Sequence, residues 1–144
     1  MTNMSPAEMD AVLDAHYKFE AADDVDGVVS TLTEDVTHDV VGYPAGPAHG
    51  RQAARAFYQH LFADISGERT DPRVRLYGPG FLVDEVMWHG RAVGHPFGFD
   101  GQNRPFSHRL LHVLEFRDGL ICRENVWVDF AAIARQLGPS GYRD

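Results

Sequence analysis

Two histidines and one glutamate fall where a β-sheet would turn them toward its interior. From Phe106 to Phe116 the sequence alternates between apolar and polar residues, a pattern typical of a half-buried strand. The even-numbered positions are Phe106, His108, Leu110, His112, Leu114 and Phe116. Because successive side chains of a strand point to opposite faces, this mostly apolar row predicts that His108 and His112 face inward.

A carboxylate is predicted on the same inner face from the following strand. In the segment 120–129 the odd-numbered residues are the more polar set, so the even set, which contains Glu124, should face inward. An unpaired buried polar group costs roughly 1–3 kcal/mol and a charged one more, so Glu124 must pair, take up a proton or meet a pocket. His112, across the hairpin, is the expected partner. A histidine–carboxylate pair in an apolar cleft is suited to moving protons near neutral pH.

The same parity applies to two other strands. In the strand predicted at residues 35–43, His38 lies on the inward face. Residues 81–92 fit either orientation, and the favoured one places Leu82, Val86 and Trp88 inside, which also turns Asp84 inward.

Several of these residues have a simpler interpretation. A single inward histidine is more often a hydrogen-bonded core residue, which applies to His38 or His108 taken alone. For His112 with Glu124 a functional interpretation is equally good, because a carboxylate is rarely placed inward without a use.

No metal site is expected. The chain has eight histidines, but only His108 and His112 are spaced as a pair on one element. In a strand that spacing spans about 13 Å, at about 3.3 Å per residue, which is too far for both to bind one ion.

The elements that would hold these residues follow from periodicity and capping. Ser5, Pro6 and Glu8 form a helix start with a capping box. A short second helix is expected from about residue 25 to 32, the clearest helix lies near 54–65, and a last one spans 130–137. Strands are predicted at 35–43, 73–77, 81–92, 105–117 and 120–129, with a tight turn at 117–119 joining the last two.

Helices followed by a run of long strands indicate an α+β domain. We expect a curved antiparallel sheet wrapped around the N-terminal helices, forming a cone whose open end is a pocket. The length of 144 residues suits one domain over residues 1–144, with a core at about 5–138 and a flexible C-terminal tail.

Composition argues against several partners and locations. Thirteen basic and 21 acidic residues give a net charge of −8, which disfavours nucleic acid or an anionic membrane as a partner. Cys122 is the only cysteine, so an intrachain disulfide or a cysteine-based zinc site is impossible. Without an apolar run near ~20 residues or a signal-like N-terminus, we expect a cytoplasmic protein.

Three stretches carry a family resemblance. They are residues 22–42, residues 50–62, and residues 111–137 with Phe116-Arg-Asp-Gly-Leu-Ile, Trp127-Val-Asp and Gln136-Leu-Gly. Together they resemble the SnoaL-like polyketide cyclases, within the superfamily of nuclear transport factor two and ketosteroid isomerase. The resemblance covers residues 8–138 and implies the same cone-shaped fold. Proteins with this fold catalyse many different reactions, so the fold does not identify the reaction.

The resemblance also implies roles for individual residues. His16 and Tyr58 fall where ketosteroid isomerase has its oxyanion-hole tyrosine and a supporting tyrosine, and His112 where it has a protonated aspartate. The general base of that enzyme falls near Val40, which departs from the isomerase pattern. Glu124 falls about where SnoaL-like cyclases place their acid–base aspartate.

The resulting prediction is a cofactor-free acid–base enzyme that cyclises or isomerises a hydrophobic, oxygenated small molecule. Glu124, His112 and His16 are the predicted catalytic residues. The predicted substrate-binding residues are His38, Tyr58, Trp88, His108, Leu110 and Val126. An epoxide-opening hydrolase or cyclase and a non-catalytic ligand-binding protein are the alternatives. The resemblance further implies a homodimer, and the outward apolar residues Leu111, Val113 and Trp127 suit such a contact.

Overall fold

The computed structural model describes residues 3–139 as four α-helices, one 3₁₀ turn and six strands. The helices are α1 (Pro6–Ala21), α2 (Val25–Ser30), α3 (Arg51–Asp64) and α4 (Phe130–Leu137). The strands are β1 (Leu32–Val40), β2 (Ala48–His49), β3 (Ser66–Gly78), β4 (Phe81–Ala92), β5 (Arg104–Arg117) and β6 (Leu120–Val128). The flexible tail predicted after Leu137 lies, from residue 140 onward, outside the described residues.

The six strands form one curved sheet in the order β2-β1-β6-β5-β4-β3. This confirms the α+β class, but the sheet is mixed because β1 runs parallel to β6 while the other neighbours are antiparallel. After β1 and β2 the chain forms α3 and then the three strands β3, β4 and β5. The last strand, β6, pairs with β1. This pairing places His38 directly beside Glu124 in register.

Local sequence signals set most element boundaries. The Ser5 hydroxyl accepts a hydrogen bond from the Glu8 N–H (3.2 Å), and the Ser5 N–H donates to the Glu8 carboxylate (2.7 Å), as the capping box predicts. Asp118 and Gly119 adopt φ values of 55° and 79°, the left-handed pair that a two-residue hairpin turn requires.

The outer strand β3 is much longer than predicted, because its sequence carries no alternation to indicate a strand. Nearly all of its residues from Ser66 to Gly78 are exposed, so no buried face marks the strand. Its length is set by pairing with β4 from Ser66↔Arg91 to Gly78↔Phe81. The predicted extension of α2 to residue 32 is also wrong, since β1 already begins at Leu32.

The interior face of the sheet follows the predicted parity. On β4, Leu82, Asp84 and Val86 are buried, and on β5 and β6 the even-numbered residues include His108, His112 and Glu124, all buried. Two apolar clusters form around Leu13, Leu82 and Leu114, and around Phe106, Ile133 and Leu137. Tyr17 packs against the first cluster and Trp88 against the second.

The outer face of the sheet keeps apolar residues in solvent. Leu111 and Trp127 lie directly opposite each other on β5 and β6 and are exposed, while Val113 is half-buried. The homodimer expected through this face stays a prediction, as does the cytoplasmic location. Within residues 3–139, none of the helices has the length and apolarity needed to cross a bilayer.

Candidate active site

A cavity of about 140 Å³ opens between α1, α3 and the concave face of the sheet. Its enclosed volume is close to that of an engineered apolar cavity of about 150 Å³ that accepts benzene, so it fits a ring-sized group. The apolar lining is contributed by Val40, Phe57, Leu61, Phe62, Ile65, Val86, Trp88, Phe97, Leu110, Val126 and Val128. The polar lining consists of Tyr17, Glu20, Asp23, His38, Tyr58, Glu68, Arg69, Thr70, His108, His112 and Glu124.

Glu124 is the most deeply buried carboxylate of this cavity and is only 1% exposed. Its Oε2 accepts a hydrogen bond from the Tyr58 hydroxyl at 3.1 Å, and its Oε1 lies 3.3 Å from His16 Nε2. His112 Nε2 is 3.8 Å from the same Oε1, and His38 Nε2 is 3.9 Å from Oε2. The partner closest to Glu124 among the imidazoles is therefore His16, and not the predicted His112.

His16 is held as a doubly protonated imidazolium by its neighbours. The Thr31 hydroxyl donates its single proton to the Val28 carbonyl (2.6 Å), so it must accept from His16 Nδ1–H (2.8 Å). The other nitrogen, Nε2, faces carboxylate oxygens of Glu124 and Glu20, each at 3.3 Å. Because carboxylates only accept, Nε2 also carries a proton.

The charges of this pair agree with that assignment. Burial disfavours the imidazolium, but the carboxylates of Glu124 and Glu20 outweigh burial and raise the pKa of His16 to about 10. Burial would raise the pKa of Glu124, yet the neighbouring His16 cation holds it well below its usual range. His16 and Glu124 thus form a buried ion pair beside the cavity.

This ion pair should make the stability of the protein fall between neutral and alkaline pH. The pKa of His16 is raised from 6.5 to about 10 by folding, so its stabilising effect is complete below pH 6.5 and lost as the pH rises toward 10. Chemical denaturation at a series of pH values between these limits would measure this fall in the free energy of unfolding. The variant His16→Gln should show a clearly flatter profile over the same window; an equal slope in both proteins would contradict the ion pair.

His112 belongs to a second hydrogen-bonded chain, and its Nε2 faces the same oxygen of Glu124 as His16 does. Its Nδ1 lies 3.1 Å from the Tyr17 hydroxyl, which donates to Asp84 Oδ2 at 2.6 Å. The other oxygen of Asp84 accepts from Arg75 Nε at 2.8 Å. Burial lowers the pKa of His112 in spite of the nearby Glu124 carboxylate, so this imidazole is neutral at pH 7.

The two remaining cavity histidines are neutral and pack against aromatic rings. His108 packs against both Trp88 and Phe106, with ring centroids 5.1 and 5.5 Å away, and burial lowers its pKa to about 4. Its Nδ1–H donates weakly to the Arg109 carbonyl at 3.4 Å, which leaves Nε2 without a proton. His38 packs on Phe57 at 4.5 Å between centroids, and burial lowers its pKa as well.

The structure brings most of the predicted site residues into one cavity wall. Eight of them line it: His38, Tyr58, Trp88, His108, Leu110, His112, Glu124 and Val126. His16 does not line it, because this fully buried side chain lies behind Glu124 and contacts Glu20 and Thr31 instead. In this structure His16 compensates the charge of Glu124 rather than facing the cavity as an oxyanion-hole residue would.

Sequence reasoning assigned no role to Tyr17, Glu20, Arg75 or Asp84. Tyr17 lies one helical turn after the buried Leu13, a spacing that could have placed it on the inner face of α1. Asp84 was expected to point inward, and a buried carboxylate needs a cation, but Arg75 lies in the exposed strand whose length was not predicted.

One group of side chains has the spacing of a metal site. Among residues 3–139, His16, Glu20 and Glu124 offer ligand atoms that all lie within 4.8 Å of one another. These are the atoms that already form the charged contacts described above, so a cation would have to replace the proton on His16 Nε2. The absence of a metal site stays a prediction.

Most of this chain matches a known protein family. The model of the SnoaL-like domain matches residues 13–124, which span both the inner face of α1 and the cavity carboxylate. The chain belongs to the SnoaL-like domain family. As a SnoaL-like domain it has a curated relative that is 32% identical over 123 residues, the nogalonic acid methyl ester cyclase of Streptomyces nogalater. The match covers 77% of this chain and 92% of that protein.

Solved structures show that this SnoaL-like domain has a widely shared fold. TsrD from Streptomyces laurentii superposes with a TM-score of 0.79 at 18% identity, covering 94% of this chain and 98% of that one. An LEH-like epoxide hydrolase of M. tuberculosis gives 0.72 at 14% identity, covering 91% and 90%. At such identities these likenesses bear on the fold alone. Family membership and the cyclase relative bear out the expectation of an enzyme.

Proposed function

We propose that this SnoaL-like domain catalyses ring closure within a hydrophobic, polyketide-like molecule by acid–base chemistry without a cofactor. The observation that carries the proposal is the Glu124 carboxylate, 1% exposed, in the wall of a largely apolar cavity and accompanied by a neutral histidine. Such a carboxylate can exchange a proton with a bound molecule out of contact with bulk water.

The ion pair limits which protons Glu124 can accept. The His16 cation and the Tyr58 hydroxyl stabilise the carboxylate and so weaken it as a base. A matching substrate therefore has an acidic C–H bond, as on a carbon between two carbonyl groups. The His16 cation lies 3.3 Å from Glu124 Oε1. When Glu124 takes up a proton it loses its negative charge, and His16 then loses this counter-ion.

The proposed reaction takes place within one substrate molecule and needs no second reactant. Glu124 accepts the proton of the acidic carbon, and the resulting carbanion adds to a carbonyl carbon elsewhere in the same chain. The new carbon–carbon bond closes the ring, and the alkoxide takes a proton back from Glu124. The product is an isomer of the substrate.

The other cavity residues have supporting roles in this proposal. His112, whose Nε2 is 3.8 Å from Glu124, is a second proton acceptor beside the reacting carbon. The apolar walls, including Trp88, Leu110 and Val126, would fold the substrate so that its two ends meet. The enclosed volume of about 140 Å³ admits the reacting ring, and the rest of a larger substrate would lie toward the mouth.

Nogalonic acid methyl ester is the first substrate to test, because the curated relative is named as its cyclase. We expect conversion to a product of unchanged mass but altered chromatographic retention and absorbance, followed by liquid chromatography with mass detection. A product heavier by one water would instead favour the epoxide-opening alternative. Saturable binding by calorimetry without any product from this ester or from related polyketide methyl esters would favour a ligand-binding protein and contradict the proposal.

A further inference from the structure

We infer that Tyr17 and Asp84 are positioning residues that hold His112 in one tautomer, with its Nε2 lone pair free on the side of Glu124. The importance of this arrangement for turnover rests on the proposed function, but the arrangement itself can be tested without any substrate. It assigns a use to a half-buried tyrosine and a buried aspartate that a fold alone does not require.

The hydrogen-bond partners of Tyr17 and His112 determine where their protons lie. Tyr17 has one hydroxyl proton, and its 2.6 Å contact is to Asp84 Oδ2, which as a carboxylate oxygen can only accept. The Tyr17 oxygen therefore has lone pairs left for His112 Nδ1, 3.1 Å away. Nδ1 must donate, so the neutral imidazole of His112 carries its proton there and none on Nε2.

Arg75 holds Asp84 in the position from which it accepts the Tyr17 proton. Its Nε donates to Asp84 Oδ1 at 2.8 Å, and its Nη1 reaches Asp10 and Asp14 at 2.9 and 3.1 Å. Asp84 thus has one oxygen paired with a cation and the other with Tyr17, while being 1% exposed itself. The chain runs from α1 and β3 at the surface, through β4, to a histidine on β5 in the cavity wall.

The free Nε2 faces several charged and titratable groups. The carboxylates of Glu124 and Glu20, and the imidazoles of His16 and His38, are its electrostatic neighbours, and Asp84 acts on it through Tyr17. A proton taken up on Nε2 creates an imidazolium whose Nδ1–H still points to Tyr17, so the Asp84 charge stabilises it without moving any atom. The preformed chain therefore favours proton uptake at one nitrogen only.

Asp84→Asn should reverse the proton order. Arg75 Nε will keep the amide oxygen as its acceptor, so the amide NH₂ must donate to Tyr17, whose hydroxyl proton then turns to His112 Nδ1. We expect nitrogen-15 NMR of histidine-labelled protein to show an Nδ1–H tautomer for His112 in the wild type and an Nε2–H tautomer in Asp84→Asn. Tyr17→Phe, which removes the acceptor altogether, should also shift His112 toward Nε2–H, donated to Glu124.

The kinetic readout separates positioning from folding. We expect both variants to lower kcat on nogalonic acid methyl ester on the order of 10–100-fold with little change in KM, as for loss of other outer partners of reacting groups. Tyr77→Phe is the matched control, because Tyr77 donates to Asp10 (2.7 Å) in the same charged cluster without reaching His112. It should change neither the tautomer nor kcat.

Two outcomes would overturn the inference. The positioning role is wrong if His112 shows the same tautomer in the wild type, Asp84→Asn and Tyr17→Phe. It is equally overturned if the tautomer changes but kcat does not, and in that case the role of Glu124 still stands on its own test. Should Asp84→Asn fail to fold because Arg75 loses its buried charge partner, Tyr17→Phe alone decides, since it leaves the Arg75–Asp84 pair intact.

Discussion

Glu124→Gln is expected to lower kcat on nogalonic acid methyl ester by about 10²–10⁴-fold, the range seen when a positioned acid–base group is lost. Glutamine keeps the size of the side chain, and its amide oxygen can still accept from the Tyr58 hydroxyl. His16 keeps the Glu20 carboxylate as a counter-ion at 3.3 Å, so the cavity should keep its shape. KM should therefore change little, because the apolar walls that bind the substrate are untouched. The measurement is steady-state turnover by product chromatography.

Two further variants make this result specific to the cavity carboxylate. Glu115→Gln removes a carboxylate from an exposed position of the same hairpin, paired with Arg123, and should leave turnover unchanged. Glu124→Asp keeps the carboxylate on a shorter side chain and should retain part of the activity, because the carboxylate is what the proposal requires. Turnover by Glu124→Gln within about twofold of the wild type would remove Glu124 from the mechanism.

His16→Gln is expected to destabilise the protein by about 3–5 kcal/mol at pH 7, the usual cost of leaving one member of a buried ion pair without its partner. His16 is fully buried, and its imidazolium is the cation closest to the Glu124 carboxylate at 3.3 Å. Without it, Glu124 must either remain charged in an apolar wall or take up a proton. The free energy of unfolding from urea titrations would measure the loss.

The double variant His16→Gln/Glu124→Gln tests whether the cost comes from the unpaired charge. Removing both charges should recover much of the stability that His16→Gln loses. Asp35→Asn, which breaks an exposed ion pair with Arg117, is the matched control and should cost less than about 1 kcal/mol. If the double variant is no more stable than His16→Gln, packing around His16, and not its charge, holds this part of the fold.

Two ion pairs act on the cavity in different ways. His16 and Glu124 form one ion pair, and Arg75 and Asp84 form another, joined to the cavity through Tyr17 and His112. In the first pair the carboxylate itself faces the cavity, whereas in the second the charge acts through two neutral side chains. A site of this kind holds one ionised and one neutral proton acceptor, with Glu124 Oε1 and His112 Nε2 3.8 Å apart.

The residue alternation of single strands was sufficient to identify the polar residues that the strands contribute to the cavity wall. His38, His108, His112 and Glu124 were each predicted to face inward, and each is buried there. This works because the side-chain period of a strand is two, so an apolar row commits its polar members to the same face. The resemblance to SnoaL-like cyclases led to the same fold and family.

The partners of these residues could not be derived in that way, because they depend on contacts between elements far apart in the chain. His16 reaches Glu124 only because α1 packs across the sheet, and His38 lies beside it only because β1 pairs in parallel with β6. Arg75 meets Asp84 through the pairing of β3 with β4, in a strand whose exposed residues carry no periodic signal. Periodicity shows which way a side chain points, whereas the charge and the tautomer of a buried group depend on the atoms that packing places within about 4 Å of it.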